Sequence, residues 1–467
     1  MNLWCIVVRI PRILIASPQS GSGKTTVAVG LMAAFTKKGL RVQPFKVGPD
    51  FIDPTYHTTA TKVYSRNLDT WLTSPRVVLE TFLRNTRNCD LAIVEGAMGL
   101  FDGVTPYDNS GSAADIGKIL NAPIILVVDV SKMGRSAAAL VHGYKTFDHA
   151  LNVKGVILNN VGSQKHLDLT KQAIEKETGV QVVGALPRKA DVSIPERHLG
   201  LIPALEEDSF TNFPIKLGAF LEEHVDLRQI VDIARNAGEL DIEENGSWLG
   251  KKRSVAKIGI AYDNVFNFYY RDNIELLEAN GAQVVPFSPL YDSSPPENLN
   301  GIYLGGGFPE VLADKLEQNQ SMRRAIRKAV DDEMPIYAEC GGLIYLTESI
   351  TDLTGCTHPM VGVLKGKTVM KKRLESLNYT LAHVVHGNLL SNVGSTIHGH
   401  EFHYSKIENV PSDTKFAYEM EIGKGISDKR DGWIQNNLLA SYMHVHFGYD
   451  PQTVQNFISS CEEYERT

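Results

Sequence analysis

The chain has 467 residues, of which 43% are apolar, and a formal net charge of −7. That length suits two domains, and the acidic balance excludes a general nucleic-acid binder, which needs a positive field. The five cysteines (Cys5, Cys89, Cys340, Cys356, Cys461) show no CxxC spacing, so neither a disulfide framework nor a zinc site is expected, and a reducing cytoplasm is.

No run approaches the roughly 18 apolar residues of a membrane span. The N-terminal LWCIVVRI is short and reads as a ragged start, not a signal peptide. RILIAS at 12–17 reads as a buried strand. Residues 24–38 follow as a helix, with Val27, Leu31, Ala34 and Phe35 on one face, Lys37 and Lys38 near its C-terminus and Gly39 as cap. Apolar runs at 41–48, 90–96, 122–130, 153–161 and 180–187 alternate with helical or loop segments. Continuous apolar strands alternating with helices predict a parallel sheet covered on both faces. Strand patterning fades after about residue 205, and the polar stretch 237–254 reads as a linker. A second α/β domain then begins at VAKIGIAY (255–262) and continues through AQVVPF, GIYLGGGFPE, a long charged helix at 310–333, MPIYAECGG and the helix LIYLTESI. The expected division is 1–236, 237–254 and 255–467.

Ser20, Gly21, Ser22, Gly23, Lys24, Thr25 and Thr26 (SGSGKTT) lie between the first strand and the first helix. Backbone N–H groups in such a turn cradle phosphate oxygens, the lysine reaches the outer phosphates and the first threonine faces magnesium. The pattern is a variant, since Pro18 stands where a glycine is usual. Asp50 and Asp53 in KVGPDFIDPTYH, Glu95 in IVEGAMG and Asp102 in GLFDG are candidate acidic partners of MgATP. Lys46 sits near the same sheet edge.

Cys340, between MPIYAE and GG, occupies a strand-to-helix bend that exposes a nucleophile, and a helix N-terminus there would lower the thiol pKa. Gly341 would supply one oxyanion N–H, and Gly306 or Gly307 another. His444 or His446 in SYMHVHF would act as base and then acid. His383, His386, His398, His400 and His403 read as structural or peripheral, because their spacing lacks metal logic.

Taken in order, SGSGKTT, PFKVGPDFIDPTYH, SRNLDTW, VEGAMGLFDG, VILNNV, YLGGGFPE, ECGGLIYL, GHEFHYS and SYMHVHFGYD resemble the cobyrinate a,c-diamide synthase family over nearly the whole chain. The resemblance implies an α/β protein with an N-terminal P-loop synthetase domain like dethiobiotin synthetase and a C-terminal class I glutamine amidotransferase domain. It implies Cys340 as nucleophile and His444 as base. His446 stands where many class I enzymes have an acid, which leaves open what orients His444. Thr25, Asp50 and Glu95 resemble magnesium-associated positions. Asp53 and Asp102 resemble positions tied to substrate and intermediate handling, Lys46 is taken with them as a substrate residue from its place at the sheet edge, and Asn159 or Asn160 resembles an adenine contact. Where the family usually begins this loop with Gly-Thr, the chain has Ser17-Pro18.

The implied reaction uses ATP, Mg2+ and L-glutamine to amidate two carboxylates of a tetrapyrrole through an acyl phosphate, with ammonia passing between domains. The same motifs suit nickel sirohydrochlorin on the route to coenzyme F430. Cobyric acid synthase is a rival with the same domains, and a MinD/ParA-like ATPase switch is another class. The whole cysteine domain argues against the switch. By analogy with the synthetase fold a homodimer is expected, with no nucleic-acid or membrane partner.

Overall fold

A computed structural model gives the fold; it describes residues 5–188, 196–197, 200–201, 213–243 and 254–465. The chain separates into two compact units, Met1–Gly246 and Ser247–Thr467. Both are α/β, as the sequence pattern predicts.

The first unit is built on a seven-stranded sheet in the order Arg66–Leu68, Val42–Val47, Leu91–Glu95, Arg12–Ala16, Pro123–Asp129, Asn152–Val161, Gln181–Pro187. Every neighbouring pair is parallel. Its central strands are buried along their length, which explains the continuous apolar runs. The strand order reverses around Arg12–Ala16, so loops leaving the carboxyl ends of the central strands open a crevice there. The helix Lys24–Lys37 follows the phosphate turn. It packs so closely on helix Phe213–His224 that a Cβ at Gly30 would lie 2.5 Å from the Leu221 side chain.

The N-terminal run is not a ragged start: Cys5–Val8 is a strand, paired antiparallel with Leu240–Glu243 outside the main sheet. That partner falls in the stretch read as linker; residues 244–253 lie outside the described residues.

The second unit holds a ten-stranded sheet in the order Ala282–Phe287, Ala256–Ala261, Gly301–Leu304, Ile336–Glu339, Leu438–Ser441, Arg430–Gln435, Lys415–Ile422, Ser376–Val384, Thr396–His403, His444–Val445. Pairings are parallel as far as Leu438–Ser441 and antiparallel beyond it.

Two expected helices are corrected. The charged helix over 310–333 breaks into a short 3-10 turn (Pro309–Leu312) and two helices, Ala313–Gln318 and Gln320–Asp331. Asn319 causes the second break: its side chain accepts from Met322 N and donates to Pro289 O and Asp292 O, holding the chain outside helical geometry. The helix after Cys340 stops at Leu346, and Thr347–Thr351 is a strand. Thr347 Oγ1 donates to Ile344 O at 2.7 Å, closing that helix, and the β-branched residues beyond favour extended backbone.

Candidate active sites

At the carboxyl edge of the first sheet, Gly21 and Gly23 take positive φ of 75° and 92°, a conformation that favours glycine. A Cβ at Gly23 would fall 2.3 Å from Asn159 Nδ2, which donates instead to Ser22 O at 3.0 Å. Asn159 therefore clamps the turn. Asn160 donates its amide to Asp129 Oδ2 at 3.0 Å. Ser17 and Ser22 hydroxyls both donate to Gln19 O, at 2.7 and 2.9 Å. Pro18 fits because its carbonyl accepts from Tyr144 OH at 3.0 Å and the turn needs no N–H from it. Lys24 Nζ is held by Met98 O at 2.5 Å and Ser17 Oγ at 2.9 Å. Burial, then the nearby Lys46 ammonium, push its pKa down to about 8.

Behind the turn lies a buried charge cluster. Lys46 and Glu95 are register partners on adjacent strands. Lys46 Nζ lies 2.5 Å from Asp53 Oδ2, 2.9 Å from Glu95 Oε1 and 3.8 Å from Asp50 Oδ2. Burial alone would lower Lys46, but Asp53, Glu95 and Asp50 together hold it above its usual range. Burial would likewise raise Glu95; Lys46 and His57 outweigh it and keep the carboxyl well below the usual range. Burial, with Asp50 and Glu95 adding to it, pushes Asp53 up. Removing one member of such a buried pair costs about 3–5 kcal/mol, because the other is stranded.

Thr25 Oγ1 donates to Glu95 Oε1 at 2.7 Å and lies 3.4 Å from Asp53 Oδ2. Asp53, not only Asp50, thus stands with Thr25 and Glu95. One oxygen of Asp50 accepts from Ile52 N and Asp53 N, fixing the entry to helix Asp53–Thr61. Asp102 Oδ2 accepts from Gly99 N at 2.8 Å and shapes its own loop. His57, overlooked in the sequence reading, meets Glu95 Oε2 at 2.6 Å and Ser65 Oγ at 3.1 Å. Its signal was its place one helical turn after Asp53 in IDPTYH.

In the second unit, Cys340 adopts φ 43° and ψ −95°, a strained conformation for a residue with a side chain. It is held by Cys340 N donating to Ser441 O at 2.7 Å and Gly342 N donating to Gly305 O at 3.0 Å. The thiol is pushed up by burial and by the carboxylates of Glu310 and Glu339, with the Gly341 N–H pulling the other way. This corrects the expectation of a lowered pKa: the following helix is only six residues long, and its terminus does not offset burial.

Gly341 packs on Gly307, where its Cβ would lie 2.9 Å from Gly307 N, and a Cβ on Gly306 would meet His444 Cε1 at 2.5 Å. The structure therefore brings together Cys340, the three predicted glycines and His444. Asp431 accepts from Tyr442 N and Met443 N at 3.1 and 3.0 Å, and Asn273 brackets Val445 O and Phe447 N at 2.8 Å each. These contacts place the histidine strand. His446 turns elsewhere, with Nε2 4.0 Å from Asp272 and its ring 4.9 Å from that of Tyr270. His400 is not peripheral: it is buried and stacks on His444 at 4.9 Å. Among the described residues no helix is long and apolar enough to cross a membrane.

Comparison with known families matches residues 13–202 to the CobQ/CobB/MinD/ParA nucleotide binding domain and 257–452 to the CobB/CobQ-like glutamine amidotransferase domain. The cobyrinate a,c-diamide synthase of Dehalococcoides mccartyi is 44% identical, covering 97% of this chain and 98% of that protein. The protein of the same name from Methanothermobacter thermautotrophicus is 41% identical over 97% of this chain and 100% of its own length. The one from Caldanaerobacter subterraneus is 40% identical over 97% and 99%.

Proposed function

Because this chain belongs to the cobyrinate a,c-diamide synthase family, we propose that it uses ATP and glutamine to amidate the a and c side-chain carboxylates of cobyrinate. The observation that carries this reading is that one chain folds both halves of the chemistry: a strained cysteine beside a histidine and paired glycines, and a phosphate turn backed by Lys24, Thr25, Lys46, Asp53 and Glu95.

Cys340 sulfur attacks the side-chain amide carbon of glutamine, with His444 taking the thiol proton as the bond forms. His444 then gives that proton to the departing nitrogen, which leaves as ammonia, and water cleaves the glutamyl thioester to glutamate. Since the resting thiol is held protonated by burial, deprotonation is coupled to attack. The glycine N–H groups of the bend receive the developing oxyanion.

In the first unit a substrate carboxylate oxygen attacks the γ-phosphorus of ATP and releases ADP. The acyl phosphate makes the carbonyl carbon electrophilic; ammonia attacks it and phosphate leaves. Lys24 exchanges its carbonyl and hydroxyl partners for phosphate oxygens and offsets charge in transfer. The donor set suits magnesium. Asp53 Oδ1 is buried and lacks a hydrogen-bond partner, and Thr25 Oγ1 and Glu95 Oε1 are hard oxygens beside it. Among the described residues no group of three or more His, Cys, Asp or Glu ligands occurs, which fits an ion held by one or two carboxylates plus phosphates and water. Such an ion neutralises phosphate charge.

The test is to supply purified protein with glutamine, MgATP and either cobyrinate or nickel sirohydrochlorin, and to count amides by mass spectrometry. Diamide from cobyrinate is expected. Diamide from the nickel compound alone would move the substrate to coenzyme F430 synthesis, and no product from either would overturn the substrate class.

A further inference from the structure

His444 lacks an acid two residues downstream, since that position is His446 and faces Asp272. We propose that Glu339, the residue immediately before the nucleophile, is the positioning acid of this site, accepting from His444 Nδ1–H and so keeping Nε2 the unprotonated nitrogen that takes the Cys340 proton. This rests on reading Cys340 and His444 as the glutaminase pair.

Glu339 is 2% exposed and ends the strand Ile336–Glu339. Its Oε2 lies 3.5 Å from His444 Nδ1, in line with the looser hydrogen bonds of unloaded sites, which close when substrate binds. The carboxylate is fixed independently of the imidazole. Tyr303 OH donates to Oε2 at 2.8 Å, Tyr337 OH donates to Oε1 at 2.6 Å, and Val445 N donates to Oε1 at 3.0 Å. The last bond ties Glu339 to the residue after the base. The other edge of the imidazole points at Gly306, beside the Gly307–Gly341 contact where the oxyanion would form. Carboxylate, imidazole and oxyanion glycines thus adjoin one another as an acid–base–nucleophile relay requires, with Cys340 next to Gly341 in the chain. The titratable groups near the pair include His400 on the imidazole face and Tyr269 and Tyr418 beyond the two donor tyrosines, while the carboxylates of Glu310 and Asp431 act on the neighbouring Cys340 thiol.

Glu339→Gln gives a sharp test because the surroundings dictate which way the amide lies. Val445 N–H can only donate, so the amide oxygen must take the Oε1 place and the NH2 must face His444. The amide then donates to Nδ1, the ring proton moves to Nε2, and the base is in the wrong tautomer. Glutamine-supported kcat is expected to fall about a hundredfold or more, with KM little changed, while ammonia-supported synthesis stays at the wild-type level. In 15N-histidine spectra, assigned with His444→Asn, His444 should be protonated at Nδ1 in the wild type and at Nε2 in E339Q.

A fall in glutamine use with the tautomer unchanged would mean that Glu339 only pins Val445, and would overturn the proposal, as would undiminished glutamine turnover. If E339Q also loses ammonia-supported synthesis, the wild-type spectrum decides: Nδ1–H supports the proposal and Nε2–H overturns it. Failure of the underlying reading is seen separately, as glutamine-supported turnover persisting in Cys340→Ser.

Discussion

Lys24 is poised to change its protonation when phosphate arrives. In the free protein, burial and Lys46 push its pKa down to about 8, below that of a free lysine. A bound triphosphate favours the charged form and restores the higher value. The sign follows: nucleotide binding near pH 8 draws a proton from solvent, about half a proton per site. Calorimetry of MgATP binding in buffers of different ionisation enthalpy should show this uptake, shrinking toward pH 6, where the lysine is already charged. Lys24→Met should abolish it. The lysine's place behind a phosphate-type turn was legible from GSGKTT alone, because that geometry is local. Glu339 and His57 were not: each meets a residue far along the chain, His444 and Glu95, and only the fold brings them together, His57 from the helix Asp53–Thr61.

The two-residue strand Gly306–Gly307 sets much of the second site. It pairs with Phe266–Phe268, and at Gly307, with φ 147°, a Cβ would lie 1.7 Å from Val265 O. Backbone cannot retreat from that contact without unpairing the strand. Gly307→Ala should therefore remove glutamine-supported turnover while leaving ammonia-supported turnover nearly intact; parallel assays with the two nitrogen sources check it. Buried parallel strands were readable as apolar runs, such as Pro123–Asp129. The antiparallel half of the second sheet was not. Leu364–Met370 (LKGKTVM), in a small neighbouring sheet, and Ser376–Val384 (SLNYTLAHV), in the large one, alternate buried with more exposed residues. In the first, Lys365 and Lys367 on the solvated face interrupt the apolar run; in the second, Ser376 and Thr380 are buried while Leu377 is exposed, so its pattern does not follow polarity. The site at 340 was visible because glycines flank the cysteine, whereas the strained backbone that presents it emerges only from pairing with Ser441 and Gly305.

On the proposed function each compact unit carries one half of the reaction, so nitrogen released in one would be consumed in the other. The expectation is transfer without mixing into solvent: with amide-15N glutamine and excess unlabelled ammonium, product read by mass spectrometry should retain the label. Dilution of label in proportion to added ammonium would exclude it. Cysteine, histidine and phosphate turn announced the two halves; the substrate macrocycle has no comparable short signature, because a large ligand is recognised by surface shape assembled from distant loops. The cluster around Lys46 has a further bearing on the molecule as a whole. A pocket of carboxylates shaped for a metal would ordinarily push itself apart when the metal is stripped. Here Lys46 is a built-in counter-ion to Asp53 and Glu95, so on the proposed reading the fold would not depend on a bound cation. Stripping divalent cations with a chelator should therefore leave the fold intact, with activity returning on resupply of magnesium; loss of the circular dichroism signal in the chelator would count against this.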